Sequence, residues 1–194
     1  MALVVTLALP TARTASAEWQ FKPFLGFTFG GSTTLIDPQN AVGSHSVIFG
    51  GTVALLGEIL GVEADIAHSP AYFENGDQAA WGGLAVENSG ITTITGNVVV
   101  ALPRHLTQYT LRPYVATGFG VMRMHKEDNL GVLSRSMPAF DIGFGATGFL
   151  SQRFGVNWEV RRFQTTGTGE LQGFSFEPEQ LSFWRATIAF AIRP

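Results

Sequence analysis

A strictly alternating stretch late in the chain constrains the fold most. Within residues 155–163, apolar and polar side chains alternate at every position from Val156 to Arg161. Because successive side chains of a β-strand point to opposite faces, Val156, Trp158 and Val160 share one face of a predicted strand. The opposite face carries full charges of both signs, including Glu159. The stretch therefore predicts a strand with one apolar and one charged face.

The same alternation recurs along the chain and predicts eight strands. They span residues 19–29, 47–56, 61–67, 91–102, 111–123, 139–150, 155–163 and 181–192. The connections between them alternate in length, and the long ones cover 30–46, 69–90, 124–138 and 164–180. An even number of alternating segments joined by short and long connections is typical of an up-and-down transmembrane barrel. We therefore expect an all-β fold, an eight-stranded antiparallel barrel.

Composition agrees with an all-β membrane protein. Charged residues make up 14% of the chain, against about 25% in an average soluble domain. Glycine (23 residues) and phenylalanine (16 residues) are abundant, and cysteine is absent. The formal net charge of −3 gives no basic surface for nucleic acid. Without cysteine, a disulfide scaffold and a thiolate metal site are excluded.

The first 17 residues resemble a secretory signal sequence. Ala2 to Leu9 is an apolar run, Pro10 interrupts it, and residues 15–17 form a small-residue cleavage site. We expect a signal peptide over 1–17 and a barrel domain over 18–194. After residue 17, no apolar run approaches the ~20 residues that a spanning helix requires. If the protein enters a membrane, it does so as strands.

Eight charged residues of the predicted strands fall on one side of the pleat. They are Lys22, Glu63, Asp65, Arg112, Asp141, Glu159, Arg161 and Arg185. Four cations and four anions suit the crowded lumen of an eight-stranded barrel. A cationic side chain on the lipid face costs ~2–4 kcal/mol near the midplane, which explains why the other face is almost free of charge. The alternative is a soluble, lipocalin-like binder with its apolar face inward.

Strand direction, taken with a periplasmic N-terminus, suggests two groups of lumen charges. Asp141, Glu159, Arg161 and Arg185 are expected in an upper group. A lower group is expected to hold Lys22, Glu63 and Arg112. We predict that these charges plug the lumen, because eight strands leave little free space. A narrow path for small ions or solutes is the alternative.

The opposite face of the strands carries residues suited to a membrane interface. They are Trp19, Phe21, Trp158, Arg162 and Trp184. Tryptophan is enriched where the bilayer meets water. Arg162 is essentially the one charge on this face, near the end of its strand, and is a candidate for contacting lipid headgroups.

The four histidines are candidates for an enzyme site or a metal site. Acyl transfer needs a base within hydrogen-bond reach of a nucleophile. His45-Ser46 and His68-Ser69 are adjacent pairs, and neighbours on a strand point to opposite faces, so neither pair forms a dyad by itself. His105 and His125 are too scattered for a metal site. We expect no catalytic residue, cofactor or metal. A lipid A-modifying barrel enzyme remains the less favoured alternative.

The chain resembles the small eight-stranded bacterial outer-membrane β-barrels, the OmpA/OmpX-like porin-family group. The resemblance extends over nearly all of the chain after residue 17, and it is carried by residues 61–65, 111–115 with 118–120, 155–162 and 183–187. It implies a location in the bacterial outer membrane. It also implies outer-membrane lipid, lipopolysaccharide and the outer-membrane assembly machinery as partners. Such barrels usually end on an aromatic residue, whereas this chain ends Ile192-Arg193-Pro194.

These patterns together predict a monomeric, non-enzymatic outer-membrane protein. Its expected role is structural in the envelope or depends on surface interactions of the long connections. In the second long connection, residues 69–90, we expect Ala71, Tyr72, Phe73 and Trp81 to fold over the barrel mouth.

Overall fold

The computed structural model of the chain describes residues 17–33, 46–70, 72, 86–107, 111–128, 131–166, 170–171, 174–175 and 181–194. The predicted signal peptide, except for Ala17, lies outside these residues. Among the described residues, no helix has the length and apolar character needed to cross a membrane.

Ten strands follow one another along the described chain. They are β1 (Glu18–Thr33), β2 (Ser46–Leu56), β3 (Leu60–Pro70), β4 (Val86–Ala101), β5 (Leu111–Asp128), β6 (Gly131–Phe149), β7 (Phe154–Thr165), β8 (Glu170–Leu171), β9 (Phe174–Ser175) and β10 (Leu181–Ile192). A short 3-10 helix spans Arg104–Leu106. The two-residue strands β8 and β9 pair with each other.

The eight long strands form a closed antiparallel barrel in the order β1-β10-β7-β6-β5-β4-β3-β2. The predicted eight-stranded barrel is therefore confirmed. Closure leaves no strand edge with unpaired backbone groups. A barrel in hydrocarbon requires this, because lipid offers no partner for backbone hydrogen bonds.

The apolar face of each strand points outward, and the charged face points into the barrel. In β7, Trp158 exposes 46% of its surface, whereas Glu159 and Arg161 expose 5% and 0%. The same inversion holds in β3, where Val62 is 56% exposed and Glu63 is 5% exposed. A soluble, lipocalin-like arrangement would bury the apolar face, so the structure contradicts that alternative.

The two ends of the barrel differ in their connections. The short connections that follow β2, β4 and β6 begin at one end. Both termini of the barrel lie at the same end, since Glu18 pairs with Leu56 and Phe154 pairs with Ile192. We call this the terminal end and the opposite one the loop end. The long connections 34–45, 71–85 and 166–180 leave from the loop end.

The predicted long loop over 124–138 is wrong. Strands β5 and β6 pair continuously from Leu111 with Gly148 to Asp128 with Gly131. The segment is an extended hairpin because Met124 and Met137 continue the inward alternation and are buried. Three other strands also extend farther toward the loop end than predicted. Strand β1 ends at Thr33 and β3 ends at Pro70, and β4 begins at Val86.

Candidate functional site

A cluster of charged side chains fills the middle of the barrel. It consists of Lys22, Glu63, Asp65, Asp141, Glu159, Arg161 and Arg185, which we call the charge cluster. No member exposes more than 5% of its surface. Each points inward because it occupies the inward register of its strand.

Arg161 lies at the centre of the charge cluster. Its Nε donates to Glu159 Oε1 at 2.9 Å and its Nη1 donates to Asp141 Oδ1 at 3.2 Å. Its Nη2 donates to Glu159 Oε2 at 2.7 Å and also to Glu63 Oε1. One guanidinium thus links carboxylates from β3, β6 and β7. Arginine suits this position because its planar fork presents five donors and stays charged when buried.

Arg185 forms the second link across the lumen. It binds both oxygens of Asp65 at 2.8 and 3.0 Å and donates to Glu159 Oε1 at 3.1 Å. The guanidinium carbon lies 4.7 Å from the ring centroid of Phe24 and 5.0 Å from that of Phe163. The rings and the carboxylates together replace the water that this cation loses on burial.

Lys22 completes the cluster toward the terminal end. Its Nζ lies 3.4 Å from Glu63 Oε2 and 5.1 Å from the ring centroid of Tyr114. Asn97 Nδ2 donates to the other oxygen of Glu63 at 3.1 Å. Glu63 therefore joins Lys22 to Arg161.

Neutral donors supplement the three cations, which face four carboxylates. Thr52 Oγ1 donates to Asp65 Oδ2 at 2.9 Å. Tyr114 OH donates to Glu159 Oε2 at 2.9 Å and accepts from Asn157 Nδ2 at 2.9 Å. These neutral residues were not among the predicted site residues. The inward register of Tyr114 and Asn157 was the signal available to identify them.

The predicted division into an upper and a lower group is wrong. Glu63, expected in the lower group, contacts Arg161 of the expected upper group. Arg112 lies at the terminal end, where it donates to the carbonyl oxygens of Leu102, Gly57 and Glu58 at 3.0, 2.8 and 2.8 Å. Arg112 thus holds two short connections together at this end.

An apolar layer lies in the lumen on the loop side of the charge cluster. We call it the upper layer: Tyr72, Ile91, Met122, Met124, Met137, Ala139, Phe163, Leu181 and Phe183. Phe163 and Phe183 stack at 5.2 Å between ring centroids, and Tyr72 packs on Phe183 at 5.6 Å. The predicted folding of Tyr72 over the mouth is confirmed, whereas Ala71, Phe73 and Trp81 lie outside the described residues. Burial raises the pKa of the Tyr72 phenol above its usual range.

A second apolar layer lies on the terminal side of the charge cluster. This lower layer consists of Ala54, Leu56, Val99, Ala101, Tyr114 and Ala116. Each of its residues exposes 5% or less of its surface. The charge cluster is thus enclosed between two apolar layers, an arrangement that the expected polar lumen did not include.

The predicted interface residues all lie on the outward register. Trp19 and Phe21 lie near the terminal end and expose 56% and 48% of their surfaces. Trp184 and Arg162 pair near the loop end, with the guanidinium carbon 5.7 Å from the indole centroid. Trp158 lies nearer the middle of β7, where it packs edge-on against Phe144.

The described histidines form neither a catalytic dyad nor a metal cluster. His68 faces outward and shares a 2.9 Å hydrogen bond with Thr92 Oγ1, whereas Ser69 faces inward and donates to the carbonyl of Val47. His105 lies 3.6 Å from Glu58 at an exposed position. His45 lies outside the described residues. Within the described ranges, no group of three or more histidine or carboxylate side chains is arranged to hold a metal ion.

Comparison with known proteins gives structural matches only. No protein family model and no curated protein matches the sequence. Neisserial surface protein A matches with a TM-score of 0.60 at 8% identity, covering 91% of this chain and 96% of that chain. The outer membrane protein OprG from Pseudomonas aeruginosa matches with a TM-score of 0.57 at 14% identity, covering 93% and 97%.

A further match is Ail, the attachment invasion locus protein of Yersinia pestis. Its TM-score is 0.50 at 13% identity, covering 90% of this chain and 99% of that chain. At such identities the matches establish the fold alone. The expected location in the outer membrane agrees with this fold and with the apolar outer face. The chain has the fold of the small eight-stranded β-barrels of the bacterial outer membrane.

Proposed function

We propose that this protein is a closed, non-conducting barrel that anchors its long connections at the cell surface. Short turns of such barrels face the periplasm and long connections face outward. The loop end is then extracellular, and the role is structural in the envelope or depends on surface contacts of the connections.

The buried charge cluster carries the proposal. Arg161 is fully buried and binds three carboxylates from different strands. An ion that crossed the lumen would have to displace this guanidinium and leave buried carboxylates unpaired, which is strongly unfavourable. The upper and lower layers add barriers, since an apolar constriction disfavours hydrated ions.

Cysteine accessibility tests whether the lumen is closed, because the chain has no cysteine of its own. Ala116, in the lower layer, is 0% exposed, and Ser151 lies exposed in a short turn. A charged methanethiosulfonate reagent should modify Ser151→Cys rapidly and leave Ala116→Cys unmodified until the barrel is unfolded. Heat-modifiable gel mobility would confirm that both variants are folded. Equal modification rates would contradict a closed lumen.

The surface role is tested separately through the second long connection. Tyr72 lies in the upper layer at the start of this connection, and a deletion of residues 74–84 retains it. If the connection mediates surface interactions, the deletion should abolish attachment in a cell-binding assay while the barrel stays folded. Unchanged attachment would rule out this connection as the contact.

A further inference from the structure

The outer wall where β1, β10 and β7 adjoin carries an ordered array of nine outward side chains. Strand register places Arg162, Trp184 and Phe29 in one row, then Val160, Ala186 and Phe27, then Trp158, Ile188 and Leu25. The first row is nearest the loop end. It alone contains a charge.

The charged row has a specific geometry. The Arg162 guanidinium carbon lies 5.7 Å from the ring centroid of Trp184, which stacks on Phe29 at 6.4 Å with an 18° interplanar angle. Within the described part of the chain, no carboxylate forms a salt bridge with Arg162. The aromatic contact supports the guanidinium and leaves its donor edges available.

A bare cation on the lipid face is costly, whereas a phosphate would satisfy it. Arginine binds phosphate through two parallel, charge-assisted hydrogen bonds. Arg162 lies toward the loop end of the barrel, and this end faces the outer leaflet if the long connections are extracellular. The phosphorylated lipid of that leaflet is lipid A.

A groove lies directly beside the charged row. It has a volume of about 750 Å³, and its lining includes Leu25, Phe27, Trp158, Val160, Ala186 and Ile188. The small side chain of Ala186 lies in the middle of the array. Its outward neighbours are larger, with Val160 and Phe27 on the adjacent strands and Trp184 and Ile188 along its own strand. The groove is therefore an apolar depression of a size that holds a ligand.

We propose that this wall binds one lipid A molecule, with a phosphate on Arg162 and an acyl chain in the groove around Ala186. The phosphate and the acyl chain belong to one molecule, which explains why the single charge and the depression adjoin. The proposal depends on the orientation of the barrel and not on the closed lumen, so a conducting barrel would leave it unaffected.

Native mass spectrometry of the purified barrel, mixed with diphosphorylated lipid A or with phosphatidylglycerol, tests the proposal. The wild type should retain one lipid A and should bind phosphatidylglycerol more weakly. Arg162→Gln should weaken lipid A retention about tenfold or more, because it removes a charge-assisted contact. Arg123→Gln is the matched control, since Arg123 is also an exposed arginine toward the loop end, on β5.

The groove is tested by filling it. Ala186→Phe should reduce lipid A retention, whereas Ala64→Phe, at an outward alanine on β3, should not. Heat-modifiable mobility would verify that each variant is folded. Wild-type retention by Arg162→Gln or by Ala186→Phe would overturn the proposal. Equal affinity for phosphatidylglycerol would overturn the assignment to lipid A.

Discussion

Arg185 and Asp65, 120 positions apart in the chain, form a bidentate ion pair across the lumen, at 2.8 and 3.0 Å. The pair joins β10 to β3, which are not neighbours in the barrel. It therefore braces the interior in addition to the strand pairing that closes the wall.

Removing one member of this pair should be severely destabilising. Arg185→Gln leaves Asp65 buried without its cation, and we expect the free energy of unfolding to fall by about 3–5 kcal/mol. Urea titration in lipid vesicles, followed by tryptophan fluorescence, measures this. Arg185→Gln combined with Asp65→Asn should recover part of the loss. A double variant no more stable than the single one would contradict direct pairing.

The Tyr114 hydroxyl should contribute measurably to stability. It donates to Glu159 and accepts from Asn157, so Tyr114→Phe removes both hydrogen bonds. Glu159 keeps its two arginine partners and Asn157 keeps Thr147. The expected loss is about 1–3 kcal/mol. The same titration checks it, and an unchanged midpoint would show that water replaces the hydroxyl in the lumen.

Substitution by alanine should have different effects on stability at two glycines on neighbouring strands. A Cβ at Gly120 would lie 1.9 Å from the carbonyl oxygen of Ile94, whereas a Cβ at Gly96 meets no atom within 4 Å. Gly120→Ala should therefore cost about 1–3 kcal/mol through displaced backbone, and Gly96→Ala should be tolerated. Comparable losses in the two variants would contradict the strand packing.

The outer face should reject charge because it meets lipid. Val98 is 51% exposed within β4, and Leu150 is 84% exposed in a short turn. Val98→Arg should lower the free energy of unfolding from vesicles by about 2–4 kcal/mol. Leu150→Arg is the control and should be nearly neutral. Equal effects at both sites would argue against a lipid-facing wall at Val98.

The inside-out barrel followed from the sequence because the alternation is strict in nearly every strand. Glu159 and Arg161 on one face of β7, with Trp158 on the other, admit few arrangements once all eight strands repeat the pattern. The hairpin over 124–138 did not follow, because residues 125–129 are mostly charged or polar. Where a hairpin extends beyond the bilayer, both of its faces meet water, so its side chains need not alternate between apolar and polar.

The partners within the charge cluster also lay beyond the sequence. Strand direction orders Glu63 and Asp65 along β3, but it does not fix how far one strand is staggered against another around the barrel. That stagger brings Glu63 to Arg161, 98 positions later. The two apolar layers were missed because their residues come from several strands, each with only one or two inward apolar side chains in the relevant row.

Single-channel recording of the wild-type protein in a planar lipid bilayer tests the central claim most directly. Incorporation would be verified by recovering heat-modifiable protein from the same membranes. A barrel closed by Arg161 and its carboxylates should give no discrete conductance steps across a wide range of voltage. Reproducible steps of uniform size from the folded protein would contradict the closed lumen and establish a conducting path.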